Sequence, residues 1–187
     1  MNDILGTTRT LVRDEPVMAA AVTIAAVGLA TIAGFLFFEY GMGLRPCPLC
    51  LEQRYAFYAS VPLAAMLCLG AGNGASGKII TIGFAAIALM MLWNAGLGAY
   101  HAGVEWKFWP GPQECSGPVD SLGSAGSMLS QLQRVTVVRC DEAAWRLFGI
   151  SLPGWNVLVS LGLSAVAAYG ARAAYARRSD AERMPIG

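Results

Sequence analysis

Four long apolar runs, separated by shorter polar stretches, set the pattern of the chain. The uncharged runs cover residues 17–38, 55–72, 79–100 and 155–171, and a glycine-rich stretch at 70–78 joins the second run to the third. An α-helix rises 1.5 Å per residue, so about 20 residues cross the roughly 30 Å hydrocarbon core of a bilayer. The pattern predicts an all-α membrane protein, a four-transmembrane-helix bundle with a short turn at 70–78.

Composition agrees with a membrane protein. Hydrophobic residues make up 56% of the chain and charged residues 13%, whereas about a quarter of the residues of a soluble domain are charged. The net charge of +1 gives no electrostatic support for a nucleic-acid partner, so the expected partner surface is the lipid bilayer. The first run is too long for the apolar region of a signal peptide and is not followed by a small-residue cleavage site. We therefore expect it to be a retained span.

An even number of spans puts both termini on one side of the membrane. Residues 1–16 and 173–187 then flank a transmembrane domain at 17–172, and the loops 39–54 and 101–153 lie together on the opposite side. Lys and Arg are denser on the terminal side, and the positive-inside rule places such segments in the cytoplasm. We expect cytoplasmic termini and two loops on the periplasmic side.

Four of the five cysteines fall in those two loops, as the pairs Cys47/Cys50 and Cys115/Cys140. The C-x-x-C spacing of the first pair is compatible with a disulfide. A helix N-terminus and an arginine, Arg54, four residues after Cys50 would favour the thiolate. A redox-active pair is the leading interpretation. A structural disulfide and a zinc site remain alternatives, although zinc needs four ligands.

The second pair has a plainer alternative, a disulfide that only staples the loop. Proline and glycine residues around Cys115 keep that stretch extended and accessible, which favours a redox role. We predict short helices at Ser124–Arg134 and Asp141–Phe148, the second beginning just after Cys140. Cys68 falls deep inside the second span, so it is expected to be a small buried hydrophobe.

Three further polar residues are candidates for the site. His101, the one histidine, falls at the outer end of the third span. Asn94 lies seven residues earlier on the same helical face, and polar groups inside a membrane are functional candidates by default. Arg54 could act on the cysteine pair, or it could be an interface anchor whose side chain extends to the headgroups.

Three motifs resemble the disulfide bond formation protein B (DsbB) family. They are GLRPCPLCLEQR at 43–54, CDEAAW at 140–145 and GISLPGW at 149–155. The resemblance implies a bacterial inner-membrane oxidoreductase with four helices. Such a protein reoxidises a periplasmic thioredoxin-fold thiol oxidase (DsbA-like) and passes the electrons to the membrane quinone pool, as ubiquinone or menaquinone.

Carried over by motif, the resemblance assigns a role to each candidate. Cys47 and Cys50 would be the quinone-coupled pair, with Arg54 and His101 on the quinone side and no metal. Cys115 and Cys140 would be the disulfide that faces the soluble partner. A vitamin K epoxide reductase-like protein is an alternative, but there the C-x-x-C pair follows the loop pair. A structural membrane protein with two stapling disulfides is the other alternative.

Overall fold

The computed structural model describes residues 2–112 and 140–183. Cys115 and the helix predicted at Ser124–Arg134 lie outside this part of the chain. The described part contains four long helices, each with a stretch long and apolar enough to cross a membrane. They are α1 (Asn2–Leu36), α2 (Pro48–Gly72), α3 (Gly77–Glu105) and α4 (Leu152–Arg183). The predicted four-span membrane fold is confirmed, and the turn between α2 and α3 falls within 70–78 as expected.

The helices pack as a closed ring. α1 contacts α2 and α4, and α3 contacts the same two neighbours. Glycines allow close approach: a Cβ built on Gly28 of α1 would lie 2.6 Å from a methyl of Val61, and one on Gly83 of α3 would lie 2.5 Å from a methyl of Leu67. Small residues at helix contacts serve the same purpose in other membrane bundles, where apolar burial alone does not drive association. The outward surface carries large exposed apolar side chains, including Val22, Leu29, Ile82, Leu89, Trp93 and Leu161.

The connection between α1 and α2 is shorter than the predicted loop 39–54. A π-helical turn, Phe37–Gly41, continues α1, and α2 already begins at Pro48. Proline suits the first helical position because its missing N–H would have no partner there. Cys47 is the N-cap of α2, and its sulfur accepts a hydrogen bond from the Cys50 N–H at 3.2 Å. The C-x-x-C motif therefore forms the first turn of a membrane helix.

The prediction of a helix at Asp141–Phe148 is wrong. Residues 140–145 are irregular, and a two-stranded antiparallel hairpin follows, with β1 (Arg146–Leu147) paired to β2 (Ile150–Ser151). Phe148 and Gly149 have φ values of 52° and 79°, as a two-residue hairpin turn requires. An eight-residue segment is too short to be a stable helix without strong packing, whereas Gly149 fits this turn at no steric cost.

Candidate functional site

The cysteine pair sits at the N-terminal end of α2. Cys47 is buried, Cys50 is half-buried, and no disulfide joins them in this structure. Their sulfur atoms lie 2.7 Å apart, in hydrogen-bond contact. The hydrogen bond from the Cys50 thiol, and then the contact with His101, lower the pKa of Cys47 to about 5, although burial acts in the opposite direction. The reduced pair therefore favours a thiolate on Cys47.

Cys47 faces the region of the second cysteine pair. It belongs to a small buried cluster with Leu49, Val104 and Cys140. Cys140 is itself disulfide-bonded, and Cys115, its predicted partner, is outside the described residues. Next to Cys140, Asp141 accepts from Lys107 at 2.5 Å, which ties this segment to the end of α3. The fold thus brings one cysteine of the long loop against the C-x-x-C motif.

Cys50 packs against the same cluster and also borders a second space. Cys50 lines a narrow cleft with a cavity volume of about 70 Å³, between the ends of α1, α2 and α4. The wall is mostly apolar and carries a few charged groups. Its lining is Phe35, Phe38, Glu39, Leu44, Arg45, Pro46, Cys50, Gln53, Arg54, Ala144, Leu152 and Pro153. The C-x-x-C pair therefore contacts both the cluster that contains Cys140 and the cleft, and only Cys50 lines the cleft.

Arg54 is held inside this cleft. Its side chain is 10% exposed, its Nη1 donates to the Glu39 carboxylate at 2.5 Å, and its guanidinium carbon lies 5.4 Å above the ring of Phe35. A snorkelling anchor would keep its head in water, so the burial argues against that alternative. Glu39 is a residue that sequence reasoning missed. Its position directly after the first apolar run was the one available signal.

A buried chain of polar side chains reaches the site from the middle of the bundle. Asn94 donates to Asn156 at 3.2 Å and to Ser160 at 3.0 Å, and Asn156 donates to Gln53 at 2.6 Å. Gln53 contacts His101 Nδ1 at 3.0 Å. Asn94, a candidate from its depth, belongs to this chain. Gln53 and Asn156 were not candidates, because neither residue's sequence context shows that its side chain points into the bundle.

His101 is buried against Cys47, with Nε2 3.7 Å from the sulfur, and it is not among the residues that line the cleft. Its predicted role in quinone binding stays a prediction. The potential ligand atoms of Cys47, Cys50 and His101 lie within 4.8 Å of one another. Within the described residues this group offers three ligands, one fewer than a structural zinc site uses. Cys68, predicted to be a small buried hydrophobe, is half-buried and packs against the apolar core of the bundle.

Comparison with known proteins gives one consistent result. Residues 17–170 match the family model described as disulfide bond formation protein DsbB. Disulfide bond formation protein B of Hahella chejuensis is 30% identical over 163 residues, which cover 76% of this chain and 87% of that protein. The protein of the same name from Burkholderia pseudomallei is 37% identical over 139 residues, covering 73% and 79%. That of Xanthomonas axonopodis pv. citri is 31% identical over 163 residues, covering 78% and 84%.

The matched region takes in the second and third spans completely, most of the first and fourth, the C-x-x-C motif and both loops. The chain therefore belongs to the DsbB family of multi-pass membrane oxidoreductases, which act in disulfide bond formation.

Proposed function

We propose that this protein is a quinone-dependent protein-dithiol oxidase. It accepts two electrons from a soluble periplasmic DsbA-like thiol oxidase at the loop disulfide Cys115–Cys140. It transfers them to the pair Cys47/Cys50 and delivers them to ubiquinone or menaquinone in the bacterial inner membrane. The termini are cytoplasmic and both redox loops are periplasmic, where disulfides persist.

The observation that carries the proposal is that the cysteine pair touches two regions at once. Cys47 and Cys50 both pack with the buried cluster that contains Cys140, and of the two only Cys50 lines the cleft with Arg54. A relay between a soluble protein and a membrane carrier needs one sulfur accessible to each. A structural disulfide has no such requirement.

The residues of the cleft fit a quinone. A quinone headgroup is a flat, largely apolar ring with two carbonyl acceptors. Phe35, Phe38 and Leu44 supply apolar walls. The guanidinium of Arg54 has five N–H donors, of which Glu39 engages only part, so donors remain for a carbonyl oxygen. A bound quinone would accept the two electrons and two protons that the dithiol loses.

Thiol chemistry defines the steps that the chain's own residues perform. A thiolate of the partner attacks the loop disulfide at Cys115, and Cys140 leaves as a thiolate. Cys140 then attacks the sulfur of Cys47 in the oxidised pair, and the bond between Cys47 and Cys50 breaks. Cys50 leaves as a thiolate inside the cleft, where the positive charge of Arg54 stabilises it. The second thiolate of the partner attacks the mixed disulfide with Cys115, which releases the oxidised partner and frees Cys115. The Cys115 thiolate attacks Cys140, which re-forms the loop disulfide and releases Cys47, so the pair Cys47/Cys50 is left reduced. Residues 141–145, directly after Cys140, are not helical, so the leaving ability of Cys140 does not depend on a helix dipole.

The decisive experiment is anaerobic reoxidation of the purified protein. Fully reduced protein has five thiols, and we expect added ubiquinone to remove the four of the two pairs and leave that of Cys68. A maleimide mass-tag assay counts the remaining thiols. In the control Cys68→Ala none should remain. Thiols that stay reduced with both ubiquinone and menaquinone would exclude quinone-dependent oxidation.

A further inference from the structure

Gln53 is the residue next to Arg54; it lines the cleft, and its side chain also contacts His101, the neighbour of Cys47. It is 4% exposed and lies between α2, α3 and α4. Its amide contacts three groups: the Leu49 carbonyl at 3.1 Å, His101 Nδ1 at 3.0 Å and the Asn156 amide at 2.6 Å. These three contacts together leave one consistent arrangement of donors and acceptors.

The Leu49 carbonyl fixes that arrangement. A backbone carbonyl can only accept, so the Gln53 atom that faces it must be the NH₂ group. The same NH₂ group faces His101 Nδ1, which must therefore accept and carry no proton. Gln53 Oε1 then faces Asn156, whose NH₂ group must donate to it. The Asn156 oxygen in turn accepts from Asn94 and Ser160.

This assignment determines which nitrogen of the His101 ring carries the proton. A neutral imidazole carries one proton, and with Nδ1 acting as acceptor that proton must be on Nε2. Nε2 is the atom 3.7 Å from the Cys47 sulfur. The N–H therefore points at the thiol that this structure holds at the helix N-terminus. This tautomer also has no lone pair on Nε2 for a metal ion.

We infer that Gln53 is a positioning residue: by donating to Nδ1 it holds His101 in the neutral tautomer whose Nε2–H faces the sulfur of Cys47. Asn156, Asn94 and Ser160 support it from the interior of the bundle, since each donor in that chain has an assigned acceptor. The chemical role rests on the proposed function, because stabilising the Cys47 thiolate matters only if the pair cycles between its reduced and oxidised forms.

The tautomer can be observed without any turnover. His101 is the one histidine in the sequence, so ¹⁵N-histidine labelling gives just two ring-nitrogen resonances. The protein is purified in detergent, reduced, with an affinity tag that contains no histidine. We expect the protonated-nitrogen resonance to be Nε2 and the unprotonated one to be Nδ1. The opposite assignment, or a rapidly exchanging mixture, would overturn the inference regardless of activity.

A variant tests the role of Gln53 itself. Gln53→Met keeps the volume but removes both amide contacts, and we expect it to give a mixture of tautomers. Ser60→Ala is the matched control: Ser60 is buried on the same helix, and its hydroxyl has no hydrogen-bond partner within the described residues. It should retain the Nε2–H signal. A Gln53→Met protein with an unchanged spectrum would show that the amide does not set the tautomer.

A pH titration of the thiols tests whether Gln53 affects the ionisation of Cys47 or only stabilises the fold. With Cys68, Cys115 and Cys140 replaced by Ser, only the C-x-x-C pair contributes thiolate absorbance. Cys50 on α2 and His101 and Glu105 on α3 are the titratable groups that interact with Cys47. The first ionisation of the pair should have its midpoint below that of an ordinary thiol. It should rise by about one pH unit in Gln53→Met, because a hydrogen bond to the charged form is lost. An unchanged midpoint would contradict the positioning role.

The tautomer of His101 and the proposed function are tested by different outcomes. If the tautomer and the titration follow expectation but quinone does not reoxidise the protein, the proposed function is wrong and Gln53 still positions His101. If quinone reoxidation proceeds while His101 carries its proton on Nδ1, the function holds and this inference is wrong.

Discussion

The guanidinium of Arg54 donates a hydrogen bond to the Glu39 carboxylate, and Arg54 lines the same cleft as Cys50. Removing Arg54 would take a positive charge from the cleft and also leave the Glu39 carboxylate, whose side chain is 23% exposed, without its partner. Breaking a buried pair on one side usually destabilises a protein more than replacing both partners. A single substitution at Arg54 therefore mixes stability with chemistry.

A double substitution separates these effects. Arg54→Gln should lower the protein's thermal stability and raise the apparent KM for quinone, or lower kcat, by about tenfold or more. Adding Glu39→Gln should restore most of the stability but none of the turnover. Arg54→Lys should be intermediate, because it keeps the charge and loses the planar fork. The measurements are thermal unfolding in detergent and steady-state quinone reduction.

The control for this series is Arg172→Gln, an exposed charge on α4 outside the described contacts of the cleft. It should leave quinone kinetics unchanged. Disulfide exchange between the loop and the soluble partner should survive in every Arg54 variant, since that exchange occurs at other residues. Normal quinone kinetics in Arg54→Gln at normal abundance would reject a role for Arg54 in catalysis.

At the scale of single elements, the lengths of the apolar runs predicted the spans, because a helix needs about 20 apolar residues to cross a membrane. It did not predict where α2 begins. The segment from Pro48 to Arg54 contains charged and polar residues, so it lacks the apolar signal, yet proline at the first position and the Cys47 cap start the helix there. The hairpin was missed for a related reason. Acidic residues at 141–142 resemble a helix N-terminus, and the decisive turn at Phe148 and Gly149 depends on φ, which composition shows only weakly.

The backbone of the hairpin turn is strained at Phe148, and this strain can be tested. Phe148 adopts a φ of 52°, which L-residues other than Asn and Asp rarely adopt, and its side chain is 87% exposed. Phe148→Asn should slow amide hydrogen exchange in the hairpin about fivefold, the equivalent of roughly 1 kcal/mol. Phe148→Val, with a β-branched side chain, should speed it. Mass-spectrometric exchange on the peptide spanning Arg146–Ser151 measures both, and equal exchange in all three proteins would exclude strain at this turn.

At the scale of the whole molecule, the site depends on contacts between elements that are far apart in sequence. The cysteine pairs, Arg54 and His101 were candidates because their residue types and spacing carry chemistry. Glu39, Gln53 and Asn156 were not, because their roles arise from the ring packing, which joins α2 to α4 through a hydrogen bond between residues 103 positions apart. Periodicity does not specify which helix faces meet, so these partners could not be derived from one sequence.

In the proposed relay the four outer cysteines act in series, and each end of that series can be disabled separately. Cys115→Ser should abolish oxidation of the soluble partner, but the reduced pair Cys47/Cys50 should still be reoxidised by quinone. Cys50→Ser should abolish quinone-dependent turnover. It should still allow the loop disulfide to oxidise about one equivalent of partner per protein, because each disulfide accepts two electrons.

Cys68→Ala should behave as the unmodified protein in both assays, within a few-fold, since Cys68 packs in the apolar core away from the pair. Rapid-quench trapping of partner thiols measures the single equivalent, and anaerobic thiol counting measures the quinone step. Sustained partner oxidation by Cys115→Ser would mean that the partner reaches Cys47 directly, and the two pairs would then not act in series. Loss of both half-reactions in either variant would instead indicate that the loop and the C-x-x-C motif form one inseparable structural unit.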